Sequence, residues 1–225
     1  MSRKLFLFDI EGTTTDIAFV HKTLFPYSRQ RMIEYVTAHE KDLSPQLEEV
    51  RQTITIEGGK ESDLKEVIKT LINWIDEDRK HKALKEIQGL IWDEGYKNGA
   101  FQGHVYPDVR PFFENLHARG YIIGIYSSGS VHAQRLIMAN SSSGDLTPYI
   151  KYYFDTQVGQ KREKVSYQNI AMKTQLPPEE IHFFSDVPEE LKAAELAGFR
   201  VSHVVREGTE SSSFQGIKNF SEFRF

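Results

Sequence analysis

The sequence predicts an α/β fold: a Rossmann-like, three-layer core on a parallel sheet, interrupted by an inserted all-helical domain. Three observations point there. From Pro107 to the end of the chain, apolar runs of strand length alternate with helical segments, the rhythm of right-handed parallel crossovers. A run of the same kind, Lys4 to Phe8, opens the chain and stops at Asp9. Between the two, residues 17–104 carry helical periodicity and no strand. The expected division is 1–16 with 105–225 for the α/β core, and 17–104 for the helical domain.

Each element has a local reason. Lys4 to Phe8 is uninterrupted and apolar, as a strand covered on both faces should be, and a polar loop from Glu11 to Asp16 follows. In the insert, Leu64, Val67, Ile68, Leu71, Ile72 and Ile75 form a stripe at helical spacing, and Leu84, Ile87, Leu90 and Ile91 form a second. Ser44 before Pro45 predicts an N-cap with proline at the first helical position. Three to five helices are expected in this segment. Further on, Pro111 to Arg119 reads as a helix stopped by Gly120, Tyr121 to Tyr126 as a strand, and Val131 to Ala139 as a helix. Tyr152 to Val158 reads as a strand and Lys164 to Thr174 as a helix. Ile181 to Ser185 is a strand ending at Asp186, Pro188 to Ala197 a helix stopped by Gly198, and Arg200 to Val205 a last strand.

Composition narrows the function classes. The 225 residues are 39% hydrophobic and 27% charged, an ordinary globular balance. Lysine and arginine total 28 against 32 acids, a net charge of -4 that gives no field for holding a nucleic acid. The absence of cysteine removes disulfides, zinc-thiolate sites and thiol nucleophiles. The apolar run before Asp9 is too short for a secretory core, and no stretch reaches the roughly 18 apolar residues of a membrane span. A cytoplasmic monomer without a membrane or nucleic-acid partner is the expectation.

Open parallel sheets place their sites beyond the carboxyl ends of the strands. The polar residues there are Asp9 and Glu11 after the first strand, Ser127 and Ser128 after the second, Asp186 after the fourth, and Lys161 shortly after the third. Asp9 and Asp186 brought to one point repel, and a hard divalent cation such as Mg2+ resolves the repulsion. A cation, a lysine, hydroxyls and main-chain donors together suit a phosphate. Beside a metal, Asp9 can attack phosphorus, and Glu11 can protonate the leaving oxygen and then activate water. The expected substrate-binding residues are Ser127, Ser128 and Lys161; the expected metal residues are Asp9, Glu11 and Asp186. Competing structural roles exist. Asp186 can cap the helix begun by Pro188, Lys161 can belong to a solvated basic face with Arg162 and Lys164, Glu190 can orient the site or face solvent, and Trp92 can pack the helical core.

These residues resemble a family. Asp9-Ile10-Glu11-Gly12-Thr13 is similar to the first motif of the haloacid dehalogenase-like phosphatases. Ser127 resembles their second motif, Lys161 with Tyr167 their lysine motif, and Ser185-Asp186 with Glu190 their terminal acidic motif. Glu11 replaces the usual aspartate. The longer string Phe8 to Thr15 is similar to the enolase-phosphatase (acireductone synthase) branch, as are Tyr126 to Val131, Phe154-Asp155-Thr156 before Gly159 and Lys161, and Gln88-Gly89 with Trp92. The resemblance implies Mg2+ dependence and action on 5-(methylthio)-2,3-dioxopentyl phosphate, by enolisation and then dephosphorylation to the acireductone. It also implies that residues 17–104 act as a cap hinged near Asp16 and near Gly103 to Pro107. A phosphatase of another small monoester and a non-catalytic binding module are the rival readings.

Overall fold

The computed structural model describes residues 4–60, 63–207, 209, 212–214 and 216–225. The chain forms two compact units, Met1–Phe19 with Gln102–Phe225, and Val20–Phe101.

The first unit is built on a six-stranded parallel sheet: β1 (Leu5–Phe8), β2 (Ile122–Tyr126), β3 (Ile150–Phe154), β4 (Ile181–Ser185), β5 (Arg200–Val204) and β6 (Gly216–Ile217). Their spatial order is β3-β2-β1-β4-β5-β6, so β1 is interior and pairs with β2 (Leu5 opposite Ile122) and β4 (Leu5 opposite Ile181). All four residues of β1 are buried, which is why it reads as a continuous apolar run. Its side chains alternate between two cores. Leu5 and Leu7 join Tyr126, Tyr167 and Leu191 on one face. Phe6 and Phe8 pack on the other, where Phe8 stacks on Phe184 at 4.9 Å and meets Phe112, Phe113 and Phe220 edge-on or tilted.

Besides a single turn, α1 (Ile17–Phe19), the helices of this unit are held back for the strand connections that follow the insert. The insert itself, the second unit, carries α2 (Phe25–Ala38), α3 (Ser44–Ile56), α4 (Leu64–Asp76) and α5 (Lys82–Lys97), with a π-turn at Val20–Leu24 before them. The predicted stripes lie on the inward faces of α4 and α5, except that Leu90 is exposed; the rest share one core with Met32 and Val36 of α2 and Leu47 and Val50 of α3. Trp92 belongs to this unit's interior: it is buried, and its Nε1 donates to the Leu24 carbonyl at 2.8 Å. Lys97 is exposed and pairs with Asp93 one turn earlier.

The strand connections of the first unit are α6 (Val109–Ala118), α7 (Val131–Ala139), α8 (Lys164–Thr174) and α9 (Pro188–Leu196). Gly120 at φ +73° ends α6, the backbone region that glycine enters without strain. Among the described residues no helix is long and apolar enough to cross a membrane.

Four expectations need correction. Ser44 is the first helical residue of α3, not its cap; Leu43 holds that position and makes no side-chain cap bond. The third strand is Ile150–Phe154, and the chain then enters a 3-10 turn, Thr156–Val158, whose valine is buried. Asp186 does not cap α9, because Val187 occupies the cap position and no side-chain cap bond forms. The two-residue strand β6 has no signal in the sequence.

Candidate active site

The chain leaves β1 toward β2 on one side and reaches β4 on the other, so strand order reverses at β1, and sheets of this kind place their sites beyond the carboxyl ends of the strands at such a reversal. Asp9 and Asp186 are the first residues past those two strands. The Asp9 amide extends the ladder by donating to the Phe184 carbonyl at 2.9 Å, which fixes where its side chain leaves the sheet.

The loop after Asp9 is a tight knot. The amides of Thr13, Thr14 and Thr15 all donate to the Ile10 carbonyl, at 3.2, 2.9 and 2.8 Å, and the Thr14 hydroxyl donates to the Asp9 carbonyl at 3.1 Å. All three threonines are fully buried. Gly12 turns the chain at φ +74°, and a Cβ there would stand 2.1 Å from Asp186 Oδ2. This glycine is required twice, by its backbone conformation and by the carboxylate against it.

Lys161 lies at the centre. Its Nζ is 2.5 Å from Asp9 Oδ1 and 2.6 Å from Glu190 Oε2, and all three side chains are buried. The lysine is aimed by Tyr167, whose hydroxyl donates to the Lys161 carbonyl at 2.6 Å; this contact explains the six-residue spacing. Glu190, in the first turn of α9, also accepts from the Ser185 hydroxyl at 2.9 Å. Of its two readings, the structure takes the site-facing one.

Ser127 donates to Glu11 Oε2 at 3.2 Å and accepts from the Gly129 amide at 3.0 Å. The Glu11 carboxylate is therefore turned toward the β2 loop. Ser128, next along that loop, is exposed. Asp186 is held from the β1 loop: its amide donates to Thr13 Oγ1 at 3.0 Å, and that hydroxyl lies 3.4 Å from Asp186 Oδ1. Behind it, the buried His203 places Nε2 3.0 Å from the Asp186 carbonyl, which can only accept, so this nitrogen carries the proton.

The electrostatics follow from the packing. Burial pushes Asp9 well above the usual carboxylate range; Lys161 pulls it back, and Glu190, Glu11 and Asp186 push it up again. Burial likewise raises Asp186, opposed by its own amide and by Lys161. For Lys161, burial disfavours the charge, but Asp9 and Glu190 together outweigh it and hold the ammonium above its ordinary value. The two sides of the Asp9–Lys161 pair pull differently; the 2.5 Å contact between buried partners makes the charged lysine the firmer conclusion.

Asp9 and Glu190 thus hold one ammonium between them, and Glu190, Glu11 and Asp186 each push Asp9 up. Such an excess of carboxylates suits a divalent cation. Among the described residues no three His, Cys, Asp or Glu side chains are gathered as a ready chelate. The expected set of Asp9, Glu11 and Asp186 is thus not gathered into one chelate, and the Glu11 carboxylate is engaged by Ser127 instead. Arg206, whose Nε and Nη2 donate to the Thr13 carbonyl, carried no sequence signal: an arginine near a loop is ordinary until its distant partner is known.

The family model for haloacid dehalogenase-like hydrolases matches residues 3–198. The chain is 50% identical over 216 residues to Enolase-phosphatase E1 of Picosynechococcus, covering 95% of each protein. It is 46% identical to Enolase-phosphatase E1 of Methylococcus capsulatus, over 92% of this chain and 91% of that one. Among solved structures, UTR4 protein from Saccharomyces cerevisiae superposes with a TM-score of 0.82 at 30% identity, over 99% of this chain and all of that one. The parallel sheet, the motif order along it and near-full-length identity of this size lead to one placement: the chain belongs to the haloacid dehalogenase-like hydrolases and, within them, to the enolase-phosphatase E1 family.

Proposed function

We propose that this protein is a bifunctional enolase-phosphatase. It enolises 5-(methylthio)-2,3-dioxopentyl phosphate and then dephosphorylates the enol phosphate, giving 1,2-dihydroxy-5-(methylthio)pent-1-en-3-one and phosphate, a step of methionine salvage. The observation that carries this reading is the buried Asp9–Lys161–Glu190 cluster beside Asp186, in a chain of this family.

Asp9 is the nucleophile. Its free oxygen attacks phosphorus, an Asp9–phosphate bond forms, and the bond from phosphorus to the enol oxygen breaks. Glu11 gives its proton to that leaving oxygen. It then takes a proton from water, which attacks the aspartyl-phosphate and frees Asp9. Lys161 balances the phosphate charge, and Glu190 and Tyr167 keep it in place. Ser127 and Ser128 bind the phosphate oxygens, and Ser127 also orients Glu11. Asp9, Glu11 and Asp186 would hold Mg2+, which would supply Lewis-acid charge to the phosphoryl group. Glutamate reaches one methylene further than aspartate, and this lets Glu11 take part in the enolisation as well.

The helical unit serves as a cap that shelters the diketone from water and offers the methylthio tail an apolar wall. Its two joints support this. The Asp16 amide donates to His104 Nδ1 and the Thr15 hydroxyl to the His104 carbonyl, each at 2.9 Å, so the insert begins and ends on the loop that carries Asp9. The same reading has a monomer act in the cytoplasm on a small phosphate ester.

The test follows the diketone phosphate by ultraviolet absorbance while phosphate release is measured in parallel. The wild type should turn it over faster than any of a panel of sugar phosphates, and chelation of Mg2+ should stop it reversibly. Asp9→Asn should reduce phosphate release to background in a protein that still folds. Undiminished release from that variant, or a preference for a panel member, would defeat the reading.

A further inference from the structure

We infer that Arg206 is a positioning residue for Asp186, acting through the Thr13 peptide. The inference deepens the reading above and rests on Asp186 being a cation ligand.

Arg206 follows β5 and is buried. Its Nε and Nη2 both donate to the Thr13 carbonyl, at 3.2 and 3.0 Å. Only Nη1 turns to a carboxylate, Asp108 Oδ2 at 3.0 Å, and it also donates to the Lys218 carbonyl at 3.2 Å. Were Arg206 present only to neutralise Asp108, its planar fork would be expected on the two carboxylate oxygens, the stronger arrangement. Here two of its three nitrogens go to a neutral carbonyl in the β1 loop. The arginine is itself fixed: its guanidinium lies 4.1 Å over the Tyr106 ring, and Asp108 Oδ2 also accepts from the Phe220 amide at 2.6 Å.

From Thr13 the path is one residue long. Its hydroxyl accepts from the Asp186 amide and lies against Oδ1, so a shift of the Thr13 peptide moves the carboxylate. Gly12 limits that carboxylate on the other side. Partners that orient a metal ligand typically change metal affinity by 10–100-fold when removed.

The test is calorimetric titration of the full chain with Mg2+, no substrate present. Arg206→Lys keeps the charge and can still pair with Asp108, but cannot grip the carbonyl with two nitrogens. Thr13→Val removes the hydroxyl. In folded proteins, verified by circular dichroism and melting, each change should weaken Mg2+ binding by about tenfold. The double variant should be no weaker than the weaker single one, because both act on one path. At saturating Mg2+, Arg206→Lys should recover most of its kcat with KM unchanged. A folded Arg206→Lys protein that binds Mg2+ like the wild type, or a double variant whose loss is the product of the two single losses, overturns the inference. Since the titration needs no substrate, a wild type that binds Mg2+ yet ignores the diketone phosphate removes only the assigned reaction.

Discussion

Gly12 shows how little freedom the site leaves at the level of one residue. Its φ of +74° costs other residues about 1–3 kcal/mol, and an added methyl carbon would meet Asp186 Oδ2 at 2.1 Å. Gly12→Ala should therefore lower the melting temperature and, by displacing the carboxylate, cut phosphate release by about 100-fold or more. A variant that melts lower but keeps its rate would show that Asp186 tolerates displacement. At this scale the sequence was informative about residues whose chemistry is distinctive. Asp9, Lys161 and Asp186 stand out as polar residues after apolar runs, and Lys161 does meet Asp9. Arg206 was silent because its contacts are purely geometric, and Glu190 stayed ambiguous because one turn of helix decides whether it faces Lys161 or water.

Helices and strands were legible where periodicity was long. α8 and β4 match their expected limits, and α4 and α5 carry the predicted stripes on their buried faces except for Leu90, which is exposed. α2 gave no such stripe, since Ser28, Met32 and Val36 are its only fully buried positions. β3 was overextended because Val158 is buried by a 3-10 turn, and burial alone does not distinguish turn from strand. Caps were read least well, being a matter of one residue: Ser44 failed as a cap while Asp63 acts as one, accepting from the Glu66 amide at 2.8 Å at the start of α4. Asp63→Ala should accordingly cost about 1 kcal/mol, seen as a lower urea midpoint, with the phosphatase rate retained. No change in midpoint would mean that tertiary packing alone holds that end of the helix.

For the molecule as a whole, His182 links stability to pH. It lies in β4, stacked on Phe184 at 4.5 Å, with Nε2 2.8 Å from the Ser202 hydroxyl. Burial, helped by Arg200, pulls its pKa from 6.5 down to about 3. A histidine depressed in the folded state contributes stability that is fully present above pH 6.5 and is lost as pH falls toward 3. Unfolding across that window should take up about one proton at this position, or roughly 1.4 kcal/mol per pH unit. His182→Phe should flatten the acid limb of urea midpoint against pH by that amount. An unchanged limb would place the linked proton elsewhere.

The interior position of β1 also has a consequence for biosynthesis. Its neighbours in the sheet are Ile122 and Ile181, so β1 stays without a partner until the whole helical insert and β2 have been made, and it is paired on both sides only after β4. The helical insert, whose contacts are nearer in sequence, can assemble meanwhile. Until β2 emerges, Leu5 to Phe8 is a sticky, unpaired stretch of the nascent chain, and chaperone demand during translation should concentrate there.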